Sequence, residues 1–341
     1  MITIIGAGWY GCYLGLKFQE LGLEFEILEK SNDIFTGSSS FNQNRLHQGY
    51  HYPRDNYTRK TSGNGYNRFI REFPEFSKPI KKNLYAIHKD SLLDFQTYLS
   101  IYSFEKYNFK IIDNSNLINK IHNIEGMIAV EEKLIDFKKS KQFFKELNLP
   151  VRFNSACYYD GPDIFSKGEI IDSDIIFDCT YGQMSCPIGF YTEDYLSFIF
   201  KKKAEIDFDA LTVMDGEFYS IYPYFDSYYT LTGVKEGIID KKEYQSLGEE
   251  NYVLIRRNLL EKKILKDYDT FLFDFEYSGY FISKKLKPRT NTNKRSTHIL
   301  KNKNIYTICS GKIDTIFDLD YLISEMKSYK NICVTINSNQ I

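Results

Sequence analysis

The chain has 341 residues, of which 43% are hydrophobic and 26% charged, and a formal net charge of -1. The length suits one large domain or two intertwined ones, and the charge gives no electrostatic reason to expect nucleic acid or an anionic membrane as a partner. No apolar run approaches the ~20 residues of a membrane span, and no signal-like segment precedes the first predicted strand. We therefore expect a soluble, cytoplasmic protein with neither a nucleic-acid partner nor a membrane span.

Six cysteines occur without a CxxC pair and without a histidine at metal-ligand spacing. Common zinc sites place their Cys and His ligands in close sequence pairs, a pattern that this chain lacks. The cysteines are therefore predicted to be reduced core residues, and no metal site is predicted.

The first thirty residues follow the pattern of a βαβ unit. The apolar run "ITII" predicts a strand, "CYLGLKFQELG" has apolar residues at helical spacing and stops at Gly22, and "LEFEILEK" alternates like a second strand. Parallel βαβ units build doubly wound sheets, so the sequence predicts an α/β fold.

The rest of the chain alternates between predicted helices and strands. Helices are predicted at 66–80, 90–107, 137–147 and 241–266. Strands are predicted at 81–88 and 127–135, and in "PVRFNSACYYDG" and "SDIIFDCTYG". From 205 to 235 the pattern is hairpin-like, and a strand, a glycine turn and a helix follow near the end. Since α/β patterns occur at both ends and in the middle, a second domain is predicted to be inserted rather than appended.

The segment "GAGWYG" between the first strand and helix fits the dinucleotide fingerprint G-x-G-x-x-G at Gly6, Gly8 and Gly11. Gly6 permits the tight turn, Gly8 lets a pyrophosphate approach the helix N-terminus, and Gly11 lets helix and strand pack closely. The second strand ends at Glu29, where a carboxylate accepts hydrogen bonds from the adenosine ribose. This carboxylate argues against NADP and leaves FAD and NAD open.

The chain resembles the D-amino-acid-oxidase-like (DAO) superfamily of FAD-dependent oxidoreductases from end to end. Besides the fingerprint with "ILEK", the segment "GSSSFNQNRLHQGYHYP" is similar to L-2-hydroxyglutarate oxidase relatives. It carries Asn42, His47, Gly49 and Tyr52 at matching positions, whereas His51 stands where a tyrosine is usual.

Three later blocks continue the resemblance in the same order along the chain. "EEKLIDFKKSKQFFKEL" and "SDIIFDCTYGQ" are similar to the second nucleotide-domain block, with Thr180 and Gly182 in its turn. "DGEFYSIYPYFDSYYTLTGVKEG" is similar to strands of glycerol-3-phosphate dehydrogenase relatives. "YTICSGKIDTIFDLDYLISEM" is similar to the closing turn and helix, although Asp314 replaces a threonine of that turn.

The resemblance implies a Rossmann-like FAD-binding domain of glutathione-reductase type with an inserted antiparallel-sheet α+β substrate domain. The FAD-binding domain is predicted at 1–75, 130–195 and 288–330. The substrate-binding domain is predicted at 76–129 and 196–287, and a C-terminal tail at 331–341. The implied cofactor is FAD.

The fingerprint and the resemblance together imply a set of cofactor-binding residues: Gly6, Gly8, Trp9, Tyr10, Gly11, Glu29, Lys30, Ser38, Ser39, Ser40, Asn42, Asn44, Arg45, Thr180, Gly182, Gly311, Lys312, Ile313 and Asp314. In the resemblance, the turn before Ile313 lies at the pyrimidine end of the flavin. Lys312 and the following helix would there favour the negative charge that builds on reduction.

The segment that the family lays against the flavin supplies the predicted catalytic residues His47, Tyr52 and Arg54. A histidine can serve as base because its ordinary pKa is near neutral. Arg45 or Arg54 could clamp a carboxylate or phosphate, and only one of them is expected to point inward. The predicted substrate residues are Tyr222, Tyr224, Tyr280 and Arg289, with core packing as the alternative for each tyrosine.

The predicted function is dehydrogenation of a CH–OH or CH–NH group of a small polar metabolite, such as a hydroxy acid, an amino acid or a sugar derivative. Hydride would pass to flavin N5, and the electron acceptor stays open, oxygen being one candidate. Two alternatives remain: a flavin-dependent sugar-nucleotide enzyme of UDP-galactopyranose-mutase type, and a flavin-binding partner protein with a degenerate site.

Overall fold

The structure, a computed structural model, describes residues 1–112, 120–290 and 295–328. Within these residues the strands, in chain order, are β1 (Ile2–Ile5), β2 (Phe25–Leu28), β3 (Arg45–Leu46), β4 (Ser77–Pro79), β5 (Asn83–His88), β6 (Phe109–Ile111), β7 (Ile124–Val130), β8 (Lys133–Ile135), β9 (Val151–Arg152), β10 (Cys157–Asp160), β11 (Asp163–Ser166), β12 (Glu169–Ile170), β13 (Ile175–Asp178), β14 (Phe190–Lys202), β15 (Ala210–Met214), β16 (Tyr219–Phe225), β17 (Tyr228–Gly233), β18 (Phe275–Pro288), β19 (His298–Asn302) and β20 (Ile305–Cys309).

The helices of the same ranges are α1 (Trp9–Leu21), α2 (Asn56–Glu72), α3 (Phe95–Phe104), α4 (Phe137–Glu146), α5 (Lys241–Leu247), α6 (Glu249–Asp267), α7 (Phe271–Asp274) and α8 (320–328). Two 3-10 helices cover Pro74–Phe76 and Ile313–Leu319. None of the described helices is long and apolar enough to cross a membrane.

A six-stranded sheet contains the first strand and has the order β19-β20-β13-β1-β2-β9. All its neighbours pair in parallel except β19 with β20. All four residues of β1 are buried, as expected for an apolar strand covered on both faces. Helix α1 ends at Gly22, whose φ of 64° is the left-handed conformation that suits a glycine. These elements confirm the predicted βαβ unit and α/β class.

An eight-stranded sheet, in the order β18-β14-β17-β16-β15-β5-β7-β6, forms the second large layer. Its neighbours are antiparallel apart from β15 and β5. One face of this sheet packs on α6 and α7 through a separate apolar core. The sheet is the antiparallel layer that the sequence predicted.

The predicted domain limits can be compared with these two sheets. The limit between 195 and 196 falls inside β14, and the limit between 287 and 288 falls at the last residue of β18. The division into domains stays a prediction, and the tail 331–341 lies outside the described residues.

Two three-stranded sheets complete the fold, in the orders β3-β8-β4 and β10-β11-β12. In the first, Arg45 of β3 lies opposite Leu134 of β8. This pairing holds the polar segment "NQNRLHQGYHYPR" at the base of a cleft, although most of that segment is neither helix nor strand.

Several predicted element limits were wrong. The helix predicted at 66–80 is α2, which ends at Glu72, and the helix predicted at 241–266 is two helices separated by Gly248. Gly248 has a φ of 76°, which interrupts the helix. The single strand predicted at 127–135 is two strands, β7 and β8.

Candidate active site

A cleft of about 790 Å³ is lined from both large sheets and from the loop that follows β2. Ligand sites in proteins usually span roughly 300 to 1,000 Å³, so the cleft can hold a cofactor and leave room beside it. Many predicted residues line it: Gly6, Gly8, Trp9, Tyr10, Glu29, Lys30, Ser38, Ser39, Asn42, Asn44, Arg45, His47, Tyr52, Thr180, Gly311, Lys312, Ile313 and Asp314. The other predicted residues are not among its lining: Gly11, Ser40, Gly182, Arg54, Tyr222, Tyr224, Tyr280 and Arg289.

The glycines of the fingerprint make the turn that brings the N-terminus of α1 to the cleft. Gly6 has a φ of 100°, and a Cβ on Gly11 would lie 1.9 Å from the Gly6 carbonyl oxygen. Gly8 is the N-cap of α1 and has no side chain to cap it. The positive end of the α1 dipole therefore faces the cleft beside a residue that leaves space for an anion.

Glu29 and Lys30 lie where β2 ends. The Glu29 carboxylate is buried and accepts hydrogen bonds from the backbone N–H groups of Ala7 (2.8 Å) and Ser31 (2.9 Å). A carboxylate has about four acceptor positions, so it can still accept bonds from a ligand. Lys30 donates to the Gln183 side chain (2.7 Å) at the rim.

The serines after β2 fasten their loop to the surrounding elements. Ser39 Oγ accepts from the Trp9 N–H (3.0 Å), Ser38 donates to the Lys284 carbonyl (2.8 Å), and Ser40 donates to the Phe35 carbonyl (2.6 Å). The Trp9 indole packs in the core against Phe35 and other rings, so Trp9 reaches the cleft mainly by its backbone. Ser40 is likewise structural, since its hydroxyl is buried.

Two further predicted turn residues occupy the end of β13. Thr180 Oγ1 donates to Asp178 Oδ1 (2.7 Å) and accepts from the Met184 N–H (3.1 Å). Gly182 has a φ of 73°, and a Cβ there would lie 2.8 Å from a Leu286 methyl carbon. Thr180 therefore shapes the turn, and Gly182 permits its close approach to β18.

Lys312 and Asp314 form an ion pair at the far end of the cleft. Lys312 Nζ lies 3.4 Å from Asp314 Oδ2, donates to Ser62 Oγ (3.0 Å), and is 4.0 Å from the centre of the Tyr52 ring. Burial lowers the pKa of Lys312, but Asp314 and Tyr52 outweigh it and raise the pKa overall. Lys312 therefore carries a positive charge, and Tyr10 fixes its backbone by donating to the Lys312 carbonyl (2.6 Å).

Four residues of the polar segment bring buried polar atoms without a hydrogen-bond partner to the cleft. These atoms are Asn44 Nδ2, Arg45 Nε, His47 Nδ1 and His51 Nδ1. Buried polar atoms are nearly always paired in folded proteins, so a cluster of unpaired ones points to a missing ligand. The two imidazoles stack with ring centres 5.6 Å apart.

Folding lowers the pKa values of both His47 and His51, which favours the neutral form of each imidazole. Burial lowers the pKa of His47 well below its ordinary value, and the positive charges of Arg45 and Lys312 lower it further. Burial and the same two cations lower the pKa of His51. The Glu132 carboxylate lies 3.9 Å from His47 Nδ1, beyond hydrogen-bond distance, so we assign no ion pair to it. A neutral imidazole that carries its hydrogen on Nε2 can accept a proton at Nδ1.

Polar side chains of the eight-stranded sheet hold Arg45 in the lining of the cleft. Its Nη2 donates to Thr212 Oγ1 (3.0 Å) and to the Tyr85 hydroxyl (3.3 Å), and its guanidinium lies 4.0 Å from the centre of the Tyr222 ring. Tyr85 in turn donates to the buried Glu132 carboxylate (2.7 Å). The predicted substrate residue Tyr222 therefore packs its ring against the Arg45 guanidinium and does not itself line the cleft.

The structure does not bring the other three predicted substrate residues or Arg54 to the cleft. Tyr224 donates to the Ser40 carbonyl (3.1 Å), and Arg289 donates to the Phe190 carbonyl (3.2 Å). Tyr280 bonds to Glu249 on the opposite face of the sheet. Arg54 pairs with Asp215, which does line the cleft.

Several cleft residues were missed by the sequence analysis: Gln43, Ser197, Thr212, Ser220, Thr232, Ser283, Lys285 and Arg295. Lys285 is the most unusual, because burial and the nearby Lys287 lower its pKa to about 7. Serines, threonines and lysines on strands carry no local signal, so only the register of the folded sheet brings these side chains together.

No protein-family model matches the chain. A relative from Fusarium mangiferae, the FAD-dependent monooxygenase FPY4, is 30% identical over 338 residues, which cover 93% of this chain and 88% of the relative. The chain belongs to the FAD-dependent oxidoreductases. The FAD-dependent monooxygenase kojA of Aspergillus flavus is 22% identical to this oxidoreductase and covers 92% of it, with 82% of kojA aligned.

Solved structures share the fold of this oxidoreductase at low identity. Iminodiacetate oxidase from Chelativorans sp. BNC1 has a TM-score of 0.65 and 12% identity, and covers 93% of this chain and 91% of its own. L-α-glycerophosphate oxidase from Mycoplasma pneumoniae has a TM-score of 0.66 and 13% identity, covering 92% and 91%. These structures confirm the predicted Rossmann-like fold, and the 30% identical relative confirms the prediction of an FAD-dependent oxidoreductase. The chain is an enzyme, and its cofactor is FAD.

The cleft of this oxidoreductase fits FAD. The uncapped N-terminus of α1 at Gly8 suits a pyrophosphate, and the Glu29 carboxylate suits ribose hydroxyls. The unpaired atoms of Asn44 and His47 lie in the same cleft and need a polar ligand.

Proposed function

We propose that this oxidoreductase dehydrogenates a CH–OH group of a small polar metabolite, with His47 as the base that accepts the hydroxyl proton. The observation that carries the proposal is His47 Nδ1, a buried, unpaired nitrogen on a neutral imidazole in the cleft. Bound FAD supplies the hydride acceptor, flavin N5. General base catalysis by such a group typically contributes about 10²- to 10⁴-fold to the rate.

We infer that the fingerprint end of the cleft holds the adenine dinucleotide part of FAD. Gly6, Gly8 and Gly11 would admit the pyrophosphate to the N-terminus of α1, and Glu29 would accept the ribose hydroxyls. Lys312 would lie at the flavin end, where its charge favours the electron-rich reduced ring.

The positive charges of Arg45 and Lys312 would stabilise negative charge that develops during the proposed reaction. As His47 removes the hydroxyl proton, negative charge develops on the substrate oxygen. Arg45 and Lys312 line the same cleft as His47 and both lower its pKa, so their positive charges would favour that developing negative charge. Arg45 Nε has no hydrogen-bond partner, because Nη2 donates to the sheet and Nη1 donates to Gln43 Oε1 (3.4 Å).

The carboxylates of the cleft favour an alcohol over an amine as substrate. Among the described lining residues they are Glu29, Asp215 and Asp314. Glu29 lies at the fingerprint end and is assigned to the ribose hydroxyls of FAD, Asp215 pairs with Arg54, and Asp314 pairs with Lys312. No described carboxylate of the cleft is therefore left over for a substrate ammonium, which makes CH–NH dehydrogenation the weaker form of the proposal.

The decisive experiment is anaerobic mixing of the yellow holoenzyme with alcohols, hydroxy acids, amino acids and sugar nucleotides, followed by absorbance of the flavin. Bleaching by a hydroxy compound supports the proposal. His47→Ala should slow that bleaching at least a hundredfold while the protein keeps its FAD, and His122→Ala, a change at a half-exposed surface histidine, should not. Equal loss of bleaching and of FAD would reassign His47 to cofactor binding, and turnover of a sugar nucleotide only after dithionite reduction would support a mutase instead.

Monooxygenation is the second candidate, because the relative that is 30% identical carries the name of an FAD-dependent monooxygenase. A monooxygenase inserts one oxygen atom of O₂ into its substrate and needs two external electrons. Oxygen uptake that requires NADH or NADPH, with an ¹⁸O atom from ¹⁸O₂ in the product, would favour this candidate over dehydrogenation.

A further inference from the structure

A row of hydroxyl side chains crosses the eight-stranded sheet on the face toward the cleft. In register across four neighbouring strands, Tyr85 lies opposite Thr212, Thr212 opposite Ser220, and Ser220 opposite Thr232. Residues paired directly across a sheet point to the same face, with Cβ atoms about 4.5 to 5.5 Å apart. Thr212, Ser220 and Thr232 all line the cleft.

The row continues toward the edge of the sheet. Ser197 on β14 and Ser283 on β18 also line the cleft, and both side chains are buried. Five strands, β14 to β18, thus present a Ser or Thr side chain to one cavity. Such a wall suits a ligand with hydroxyl groups better than an apolar one, because an apolar ligand would displace water from the wall without offering it further hydrogen bonds.

Gln43 and Arg45 hold the row in a fixed arrangement. Ser220 donates to Gln43 Oε1 (2.9 Å) and is 2.9 Å from Thr232 Oγ1, while Arg45 donates to Thr212 Oγ1 (3.0 Å). Gln43 is itself tied to the sheet by bonds to the backbone carbonyls of Ser220 (3.4 Å) and Thr230 (3.3 Å). Thr212 also donates to the Tyr222 hydroxyl (3.2 Å), so the donors of Thr212 and Ser220 are used and acceptor positions are left for a ligand.

We propose that the hydroxyl row binds a polyhydroxylated substrate, a sugar or a polyol. Closely spaced neutral acceptor positions match the hydroxyl donors of a sugar or polyol, whereas an amino acid presents its donors at one ammonium and a lipid chain presents none. The inference rests on the proposed alcohol dehydrogenation. One substrate CH–OH becomes a carbonyl, its hydroxyl proton passes to His47, and its hydride reduces FAD.

The test removes two hydroxyls of the row without changing side-chain shape greatly. In the Ser220→Ala, Thr232→Val double variant, kcat/KM for anaerobic flavin reduction by a reactive sugar or polyol should fall about tenfold, since each hydrogen bond contributes roughly 0.5 to 1.5 kcal/mol. The fall should appear in KM rather than kcat. The matched control is Thr230→Val, whose hydroxyl bonds to the Tyr222 carbonyl and does not line the cleft.

The probes are aldoses and polyols of three to six carbons, with lactate, 2-hydroxyglutarate and alanine as competing classes. Reduction by a sugar or polyol that weakens in the double variant, but not in Thr230→Val, supports the inference. Reduction by 2-hydroxy acids alone, or a double variant with unchanged KM for the polyol, overturns it and leaves alcohol dehydrogenation standing. Failure of every hydroxy compound would instead overturn the proposed function itself, and the inference with it.

Discussion

His47 has a lowered pKa although a carboxylate lies close to its ring. The Glu132 carboxylate lies 3.9 Å from His47 Nδ1, yet the pKa of His47 is lowered, first by burial and then by Arg45 and Lys312. Glu132 is turned toward other donors, the Tyr85 hydroxyl (2.7 Å) and the Gln48 N–H (2.7 Å). Glu132 therefore interacts with residues that support Arg45, and His47 Nδ1 is left without a hydrogen bond.

Stability should fall as the pH is lowered through the ordinary histidine range. Because the pKa values of His47 and His51 are lowered by folding, the unfolded chain binds more protons between their folded values and about 6.5. Folding free energy is then lost as the pH falls, by at most about 1.4 kcal/mol per histidine between pH 6.5 and 5.5. Urea unfolding of the apoprotein at several pH values measures this loss.

The matched variants isolate the two histidines from the other titrating groups. The His47→Gln, His51→Gln double variant should lose less stability than the wild type between pH 7.5 and 5.5. His122→Gln, at a side chain 48% exposed, should follow the wild type. Identical curves for all three proteins would contradict the neutral, buried state of the pair.

Glu132 should be needed for stability as a hydrogen-bond acceptor. In Glu132→Ala the Tyr85 hydroxyl and the Gln48 N–H lose their acceptor in a buried place, which costs about 1 to 3 kcal/mol for an unsatisfied group. Glu132→Gln keeps an acceptor oxygen and should cost less. Urea unfolding compares them with Glu131→Ala at the exposed neighbouring side chain, and an equal cost at both positions would argue against this role.

The sequence could predict His47 and Arg45 in the cleft because they belong to one short polar segment anchored by β3. It could not predict which face each residue of a long strand takes. Tyr280 lies opposite Phe198, whose ring is in the second core, whereas Ser283 of the same strand lines the cleft. Side chains alternate at every residue, so an error of one position moves a side chain to the other face.

Among the elements, helix α2 packs unusually closely on the 3-10 helix Ile313–Leu319. A Cβ on Gly65 would lie 1.7 Å from the Asp314 carbonyl oxygen. The predicted helix began only at residue 66, whereas α2 begins at Asn56 and includes Gly65. Because Gly65 has no side chain, α2 can lie this close to Asp314, next to Lys312 at the far end of the cleft.

Gly65→Ala should therefore disturb the flavin end of the site as well as the fold. The added methyl group must push the 3-10 helix away from α2, and overpacking of this kind typically costs about 1 to 3 kcal/mol. We expect a lower urea midpoint and weaker FAD retention on gel filtration. The control is Asn64→Ala, one residue earlier on the exposed side of α2, which should leave both unchanged; a stable Gly65→Ala protein with full FAD would contradict the contact.

The βαβ unit was predictable because its signals are local: isoleucines in β1, glycines at the turn, and helical spacing up to Gly22. The paired strands β14 and β18 gave no comparable signal. Both carry many lysines, acids and tyrosines on a face that lines a cleft or water, so their apolar alternation is weak. Their length follows from pairing with each other, a long-range property that no local window contains.

At the scale of the whole molecule, the cleft is assembled from segments that are far apart in the chain. Gly8 is near the start, Arg45 lies in β3, Thr180 follows β13, Ser220 lies in β16, and Lys312 is near the end of the described residues. A ligand that contacts all of these holds the two sheets together at once. Cofactor binding should therefore stabilise the whole fold rather than one part of it.

FAD should raise the melting temperature of the apoprotein in a single cooperative step. At free FAD about 100 times its Kd, linkage gives about 2.7 kcal/mol, which corresponds to a shift of about 4 °C for a chain of this size. Gly8→Val places a side chain where even a Cβ would lie 2.9 Å from Ser39 Oγ, at the end of the helix proposed to meet the pyrophosphate. Its melting temperature should not respond to the same FAD concentration. Differential scanning calorimetry measures the melting temperature of both proteins with and without FAD. An equal shift in Gly8→Val would mean that the fingerprint turn does not hold the cofactor.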